Sequence, residues 1–292
     1  MAITASQVKE LRQRSGAGMM ECKKALVECD GDIEAAIDHM RKTGLAKADK
    51  KAGRVAAEGT VTIKASVDAK TIAILEVNSE TDFVSGGEDF QNFANEVCEI
   101  ILAQAPADVD ALMHLEMASG DTVDTACRAL IAKIGEKISV RRFSLTSTEG
   151  AFSFYSHGTR IGVVVEMEGG DDALGKDIAM HIAATNPVCV SEEQVPAENL
   201  EKEKEIFVAQ AKESGKPDNI IEKMIEGRIK KYLKEITLVG QPFVKDPDTT
   251  VGKLLASNNA KVLSFCRYEV GEGIEKAEDN FAEEVMAQVR GS

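Results

Sequence analysis

Two stretches of this chain follow the same plan, and that duplication restricts the fold more than any other feature. The first reads as a strand, Ile72 to Val77, a loop, and a helix, Phe90 to Leu102, followed by Ala105-Pro106. The second reads as a strand, Gly162 to Met167, a loop, Glu168 to Gly175, and a helix, Lys176 to Ala184, followed by Asn186-Pro187. Each strand has a partner before it: Gly59 to Val67, turning at Asp68-Ala69-Lys70, and Ala151 to Tyr155, turning at His157-Gly158. Such pairs read as β-hairpins. Hairpins mixed with helices, without regular βαβ alternation, predict an α+β fold containing two repeated antiparallel hairpin-plus-helix subdomains.

Aligned on Glu76 with Glu166 and on Phe93-Ala94 with Ile178-Ala179, the first loop is longer by about five residues. The surplus falls at Thr81-Asp82-Phe83-Val84, inside the polar, glycine-ended run Asn78 to Gly87. The chain is only 4% aromatic, so a ring in such a loop is conspicuous. Either Phe83 folds back into the core, as loop aromatics usually do, or it is offered to another molecule, since loops carry binding groups. The second copy makes its strand-helix unit without the insertion, which favours the second reading.

With 292 residues there is room for several domains. The net charge of −14 opposes non-specific binding to phosphate backbones, so RNA contact is not expected. The charge is uneven: residues 1–54 carry +3 and the remainder −17. Lys42, Lys47, Lys50, Lys51 and Arg54 read as a basic, solvated linker. Cys22, Cys29, Cys98, Cys127, Cys189 and Cys266 include no CxxC pair and have no histidine at ligand spacing, which argues against both a metal site and a disulfide framework. The N-terminus lacks the basic-then-apolar pattern of a signal peptide, and no apolar run is long enough to span a bilayer. Together these predict a cytoplasmic protein with reduced thiols and no membrane partner.

Residues 1–44 read as three short helices, with Thr4 and Gln7 as a capping box, Val8 and Leu11 on an apolar edge, Met19 and Met20 on the second helix, and Gly44 as the final stop. Exposed Met19 or Met20 would suit an adaptable docking surface. Glu198 to Glu213 and Pro217 to Glu235 read as an antiparallel helical hairpin broken at Ser214-Gly215-Lys216-Pro217. Helices are also expected over 88–104 and 121–138, a strand over Val262 to Val270, and a last helix over Ala277 to Val289. The resulting division is 1–55 for the three-helix unit and linker, 56–143 for the first core subdomain, 144–196 with 237–275 for the second, 197–236 for the inserted hairpin and 276–292 for the C-terminal helix.

Gly170 to Asp177 nearly spells a phosphate-binding P-loop between a strand and a helix. Asp177 stands where a hydroxyl should meet magnesium, and Asp171 and Asp172 would place anions inside the cradle. Like charges there repel phosphate, so direct nucleotide binding is not expected. His39, His114, His157 and His181 are scattered and suggest no catalytic constellation. The sequence therefore points away from an enzyme and implies no cofactor.

Several ordered pieces resemble the bacterial translation elongation factor Ts family: Ile3 to Leu11, Gly16 to Met20, Cys22 to Leu26, Lys50 to Arg54, Thr81 to Val84, His181 to Ala184 with Pro187, Glu222 to Met224 with Glu226 to Arg228, Gln241 to Val244, and Glu269 to Gly273. One departure is Ser85-Gly86-Gly87, where larger polar residues are common in the family; it is expected to loosen the loop. The resemblance implies a guanine-nucleotide exchange factor for the GTPase elongation factor Tu. It implies that Thr81, Asp82, Phe83 and Val84 meet the GTPase domain and disturb its magnesium site. It further implies a ubiquitin-associated-like N-terminal unit touching the same domain, with Leu11, Met19 and Met20 as docking candidates, a second copy reaching another domain of the partner, and a coiled-coil arm. The oligomeric state is left open.

Overall fold

The computed structural model describes residues 3–212 and 217–275. The fold is mixed helix and sheet, of the α+β class. It begins with helices α1 (Ala5–Ser15), α2 (Met19–Glu28) and α3 (Ile33–Lys51). Thr4 and Gln7 cap α1 reciprocally: the Thr4 amide donates to Gln7 Oε1 at 2.9 Å and the Gln7 amide to Thr4 Oγ1 at 3.3 Å. Gly16, at φ +65°, closes the helix in a conformation that disfavours a side chain. Val8, Leu11, Cys22, Leu26 and Ala36 form the small core between the three helices.

Gly44 does not end α3, which continues to Lys51. A Cβ at Gly44 would lie 3.0 Å from the Cβ of Ala132, so the glycine lets α3 cross close to α7 (Val123–Ile134). Much of the expected basic linker is thus helix. Lys51 donates to the Gly135 carbonyl at the end of α7 rather than standing in solvent.

The first sheet contains β1 (Glu58–Ala65), β2 (Thr71–Ser79) and β3 (Ile138–Ser147), antiparallel in that order. Helix α5 (Glu88–Gln104), short α6 (Val109–Met113) and α7 cover it, burying Leu75, Val77, Phe90, Val97, Ile101 and Leu112. The sequence signal for β3 is broken by a bulge. Glu76 faces Arg142 and Val77 faces Val140, leaving Arg141 as the extra residue. The bulge reverses the alternation, so Ile138 and Val140 share a face with Phe143 and Leu145. The helix expected over 121–138 accordingly stops at Ile134, and the expected subdomain boundary at 143/144 falls inside β3.

The second sheet orders β4 (Ala151–His157), β5 (Ile161–Glu168) and β8 (Lys261–Glu269), again antiparallel. It bulges at the equivalent place, between Glu166 and Met167. Helix α8 (Asp172–Thr185) starts within the segment expected to be loop, because Asp171 caps it by accepting from the Leu174 amide at 2.8 Å. Helices α9 (Ala197–Lys212) and α10 (Asp218–Ile236) form the inserted pair, with Phe207 edge-on to Tyr232 at 6.3 Å. The chain returns through β6 (Pro242–Phe243), β7 (Asp246–Thr250) and α11 (Val251–Ser257). The expected final helix over 276–292 lies outside the described residues.

The two sheets meet through Val61, Ile72, Ile74, Val164 and Val270. Beside this apolar contact Glu76, fully buried, accepts from Arg142 Nε at 2.6 Å, Arg141 Nη1 at 2.9 Å, Asn78 Nδ2 at 3.0 Å and the Gly271 amide at 2.8 Å. Burial pushes its pKa up, but the Gly271 amide, Asn78 and the two arginines outweigh that and hold it below the ordinary glutamate value. One carboxylate thereby ties the first sheet to the turn after β8.

Candidate functional site

β2 ends at Ser79, and a four-residue helix, α4 (Asp82–Ser85), interrupts the path to α5. A single turn has little stability of its own, since forming the first turn of a helix is the costly step. Its ends are fixed by neighbours. Thr81 is its N-cap residue, but no side-chain capping bond forms. Instead the Thr81 amide donates to Glu136 Oε2 at 3.0 Å, and its hydroxyl donates to Glu136 Oε1 at 2.9 Å. Ser79 Oγ donates to the Thr81 carbonyl at 2.8 Å. At the far end Ser85 is buried, its hydroxyl donating to the Asp82 carbonyl at 3.0 Å and its carbonyl accepting from Gln91 Nε2. The Gly86 and Gly87 amides donate to Asp82 and Val84 carbonyls, each at 3.0 Å. Ser85-Gly86-Gly87, expected to loosen the loop, are therefore among its fastened residues.

This geometry divides the four predicted residues. Thr81 is half-buried against Glu136, and Val84 packs partly buried on the first core. Asp82 is exposed, and the Phe83 ring is 88% exposed. The anchored turn thus holds one bare ring in water, with its apolar area available for burial elsewhere.

Met19 and Met20 form a second group at the start of α2, 60% and 75% exposed. With Ile3, Val8, Arg12 and Lys23 they line a shallow cleft of about 430 Å³. Leu11, expected beside them, is fully buried in the three-helix core and drops out as a docking residue. The two groups lie on different elements, linked through the end of α3. Arg54 Nη1 reaches Glu80 at 3.2 Å, and Lys137 Nζ donates to the Arg54 carbonyl at 2.8 Å.

Glu80, Glu136 and Gln91 went unmarked in the sequence reading. Glu136 lies in a stretch read as helix to 138, and nothing local distinguishes it; only the turn after Gly135 brings it to Thr81.

The P-loop look-alike has a structural explanation. Gly169 and Gly170 adopt φ of +72° and +76°, and a Cβ at Gly169 would lie 2.2 Å from the Asn259 carbonyl oxygen. The turn is pressed against the chain, and Asp177 pairs with Lys245 at 2.6 Å. His181 is buried, accepting at Nδ1 from the Val244 amide at 3.2 Å, with Nε2 2.9 Å from Gln241 Oε1. Burial lowers its pKa, partly offset by Gln241. Among the described residues no cluster of three His, Cys, Asp or Glu side chains could hold a metal ion, and no helix is long and apolar enough to cross a membrane.

A family model described as Elongation factor TS matches residues 80–272. The chain is 65% identical over 294 residues to elongation factor Ts of Thioalkalivibrio sulfidiphilus (strain HL-EbGR7), covering 100% of each chain. It is 64% identical over 293 residues to elongation factor Ts of Methylococcus capsulatus (strain ATCC 33009 / NCIMB 11132 / Bath), again covering 100% of each. With elongation factor Ts of Legionella pneumophila (strain Lens) the identity is 58% over 288 residues, covering 99% of each.

Proposed function

The chain belongs to the elongation factor Ts family, and from that premise we propose that it is a guanine-nucleotide exchange factor for the GTPase elongation factor Tu. It works in the cytoplasm as a protein effector, with no catalytic site, cofactor or nucleotide site of its own. The exposure of Phe83 on an anchored turn carries the reading.

GDP in a GTPase is held by backbone amides, a lysine and magnesium. A protein that does not touch GDP releases it by favouring a partner conformation that binds GDP badly. Phe83 enters an apolar pocket that opens only in that conformation and displaces the elements holding magnesium and the β-phosphate. Asp82 hydrogen-bonds groups exposed by the displacement, while Thr81 and Val84 hold the turn.

Burying one phenylalanine is worth about 1.5–3 kcal/mol, roughly tenfold to hundredfold in an equilibrium. Moving a two-state equilibrium from one extreme to the other takes about 5.5 kcal/mol of differential binding. Phe83 therefore acts with further contacts: Met19 and Met20 on the ubiquitin-associated-like unit dock on the GTPase domain, and the second sheet with its coiled-coil arm reaches other parts of the partner. By linkage, GDP weakens the binding of this protein by the same factor that this protein weakens the binding of GDP.

The test is release of fluorescent GDP from elongation factor Tu. Phe83→Ala is expected to keep binding to the nucleotide-free partner but slow release by about tenfold or more. Release at the wild-type rate would defeat the wedge. Retention of GDP by this chain alone in equilibrium dialysis would contradict the absence of a nucleotide site.

A further inference from the structure

We infer that Glu136 is a positioning residue for nucleotide exchange: its carboxylate grips both the amide and the hydroxyl of Thr81 and so sets the direction in which Phe83 leaves the surface. The inference rests on the reading of Phe83 as a wedge and adds what aims it.

An N-cap threonine ordinarily accepts a hydrogen bond from an amide one turn into its own helix. Thr81 does not; its hydroxyl is given to Glu136. A helix of four residues cannot fix its own axis, so the bonds at its start determine where Phe83 points. The same carboxylate takes the Thr81 amide at 3.0 Å, so one side chain holds two groups of the residue that starts the turn, and bonds to a carboxylate are stronger than neutral ones.

The clamp is reciprocal. Glu80, the residue before Thr81, accepts the amide of Lys137, the residue after Glu136, at 2.6 Å. Each acidic residue thus holds the backbone of the other's neighbour, and the two segments cannot slide without losing both sets of bonds. Arg54 supplies positive charge beside Glu80, and Lys137 returns to the Arg54 carbonyl. The turn from Gly135 to Lys137 therefore joins three things: the wedge, the third strand of its sheet, and the end of the helix leading from the methionine pair.

This arrangement makes a specific demand. Removing Glu136 leaves the Phe83 ring and its apolar area intact, so docking survives. What is lost is the aim of the ring at the step that opens the nucleotide site, where a small misplacement is expensive.

The test measures GDP release from elongation factor Tu at increasing concentrations of the full-length wild type, Glu136→Ala, Glu136→Gln, Phe83→Ala and the double variant Glu136→Ala/Thr81→Val. Glu136→Ala is expected to lower the maximal release rate by about tenfold, with the half-saturating concentration moved by no more than about twofold. Glu136→Gln, which keeps an acceptor oxygen without the charge, should recover part of the rate. Adding Thr81→Val to Glu136→Ala should change little further, because the hydroxyl it removes has already lost its acceptor. Thermal melts and binding to nucleotide-free partner check that each variant is folded. Wild-type release by Glu136→Ala beside slow release by Phe83→Ala overturns the positioning role and leaves the wedge standing. A Glu136→Ala defect confined to the half-saturating concentration, with a lowered melting temperature, also overturns it. Wild-type release by Phe83→Ala overturns the wedge and removes the basis for this inference.

Discussion

The connection after β2 and the connection after β5 occupy equivalent places in the two copies, yet the first holds residues 80–87 and the second only 169–171. The shorter one is exposed but offers no apolar side chain: two glycines at positive φ approach residues 259–260, and Asp171 caps the following helix. The longer one is fastened just as thoroughly at its ends, through Glu136, Ser79 and Gln91, but leaves Phe83 in water. A sheet with a covering helix needs only the short form. The additional residues are therefore not required by the strand-helix plan itself, and they are what carries Phe83.

The strongest way to break this contrast is to exchange the connections. Replacing residues 80–87 by Gly-Gly-Asp, the connection of the second copy, should leave a folded protein. Its acceleration of GDP release should fall by about hundredfold, the upper end of what burying one ring can contribute. Fluorescent GDP release and circular dichroism report the two halves of that expectation. Retained acceleration by the chimera would mean that the insertion is not the acting part.

The contrast was legible in the sequence because it is a matter of length and composition: one loop is longer and carries a ring. What sequence did not reveal are features that depend on what lies opposite. Gly44 looks like a helix stop, and only the proximity of Ala132 shows it to be a crossing point. β3 was hidden because Arg141 bulges and breaks the alternation by which strands are recognised. Glu136 became part of the candidate site only when the α7–β3 turn was folded against Thr81. Leu11 and Met19 are both apolar residues on short helices, and burial alone separates core from surface.

Glu76 and Glu166 sharpen the comparison at the level of stability. They occupy matching positions beside matching bulges, but their partners differ. Glu166, half-buried, accepts from Thr148 Oγ1 at 2.6 Å and Ser264 Oγ at 2.8 Å. Glu76 is buried against two arginines and the Gly271 amide. Glu76→Gln should cost about 2–3 kcal/mol in urea denaturation, because a buried acceptor loses its charge-assisted bonds to two partly buried arginines and the Gly271 amide. Glu166→Gln, losing only charge assistance to two hydroxyls, should cost about 1 kcal/mol. Because the Glu76 pKa is lowered in the folded state, its stabilisation is complete above the unfolded value of about 4.3 and is lost as pH falls through the folded value. The acid limb of stability below about pH 4.3 should be shallower in Glu76→Gln than in wild type. Equal costs for the two substitutions would show that the junction between the sheets does not depend on this carboxylate.

Gly162 offers the smallest and most local separation of the copies. The alignment that pairs Glu76 with Glu166 pairs Ile72 with Gly162. Both face the same intersheet layer, one filling it and the other making room. A Cβ on Gly162 would lie 2.5 Å from Val61 Cγ1 and 3.2 Å from both Ile63 Cδ1 and Ile74 Cδ1. Gly162→Ala should therefore cost about 1–2 kcal/mol, since crowding a packed interior outweighs the small backbone gain from replacing glycine in a strand. Gly86→Ala is the fitting control: its Cβ would meet the Asp82 carbonyl oxygen at 3.4 Å and the Phe83 carbonyl oxygen at 3.9 Å, both ordinary contacts, and its φ of −79° suits any residue. The control should stay within about 0.5 kcal/mol of wild type. Thermal melts of the two variants would then show the intersheet layer as the region that cannot give and the wedge connection as the one with space around it. A stability loss at Gly86 as large as that at Gly162 would deny that difference and require the wedge turn to be packed as tightly as the core.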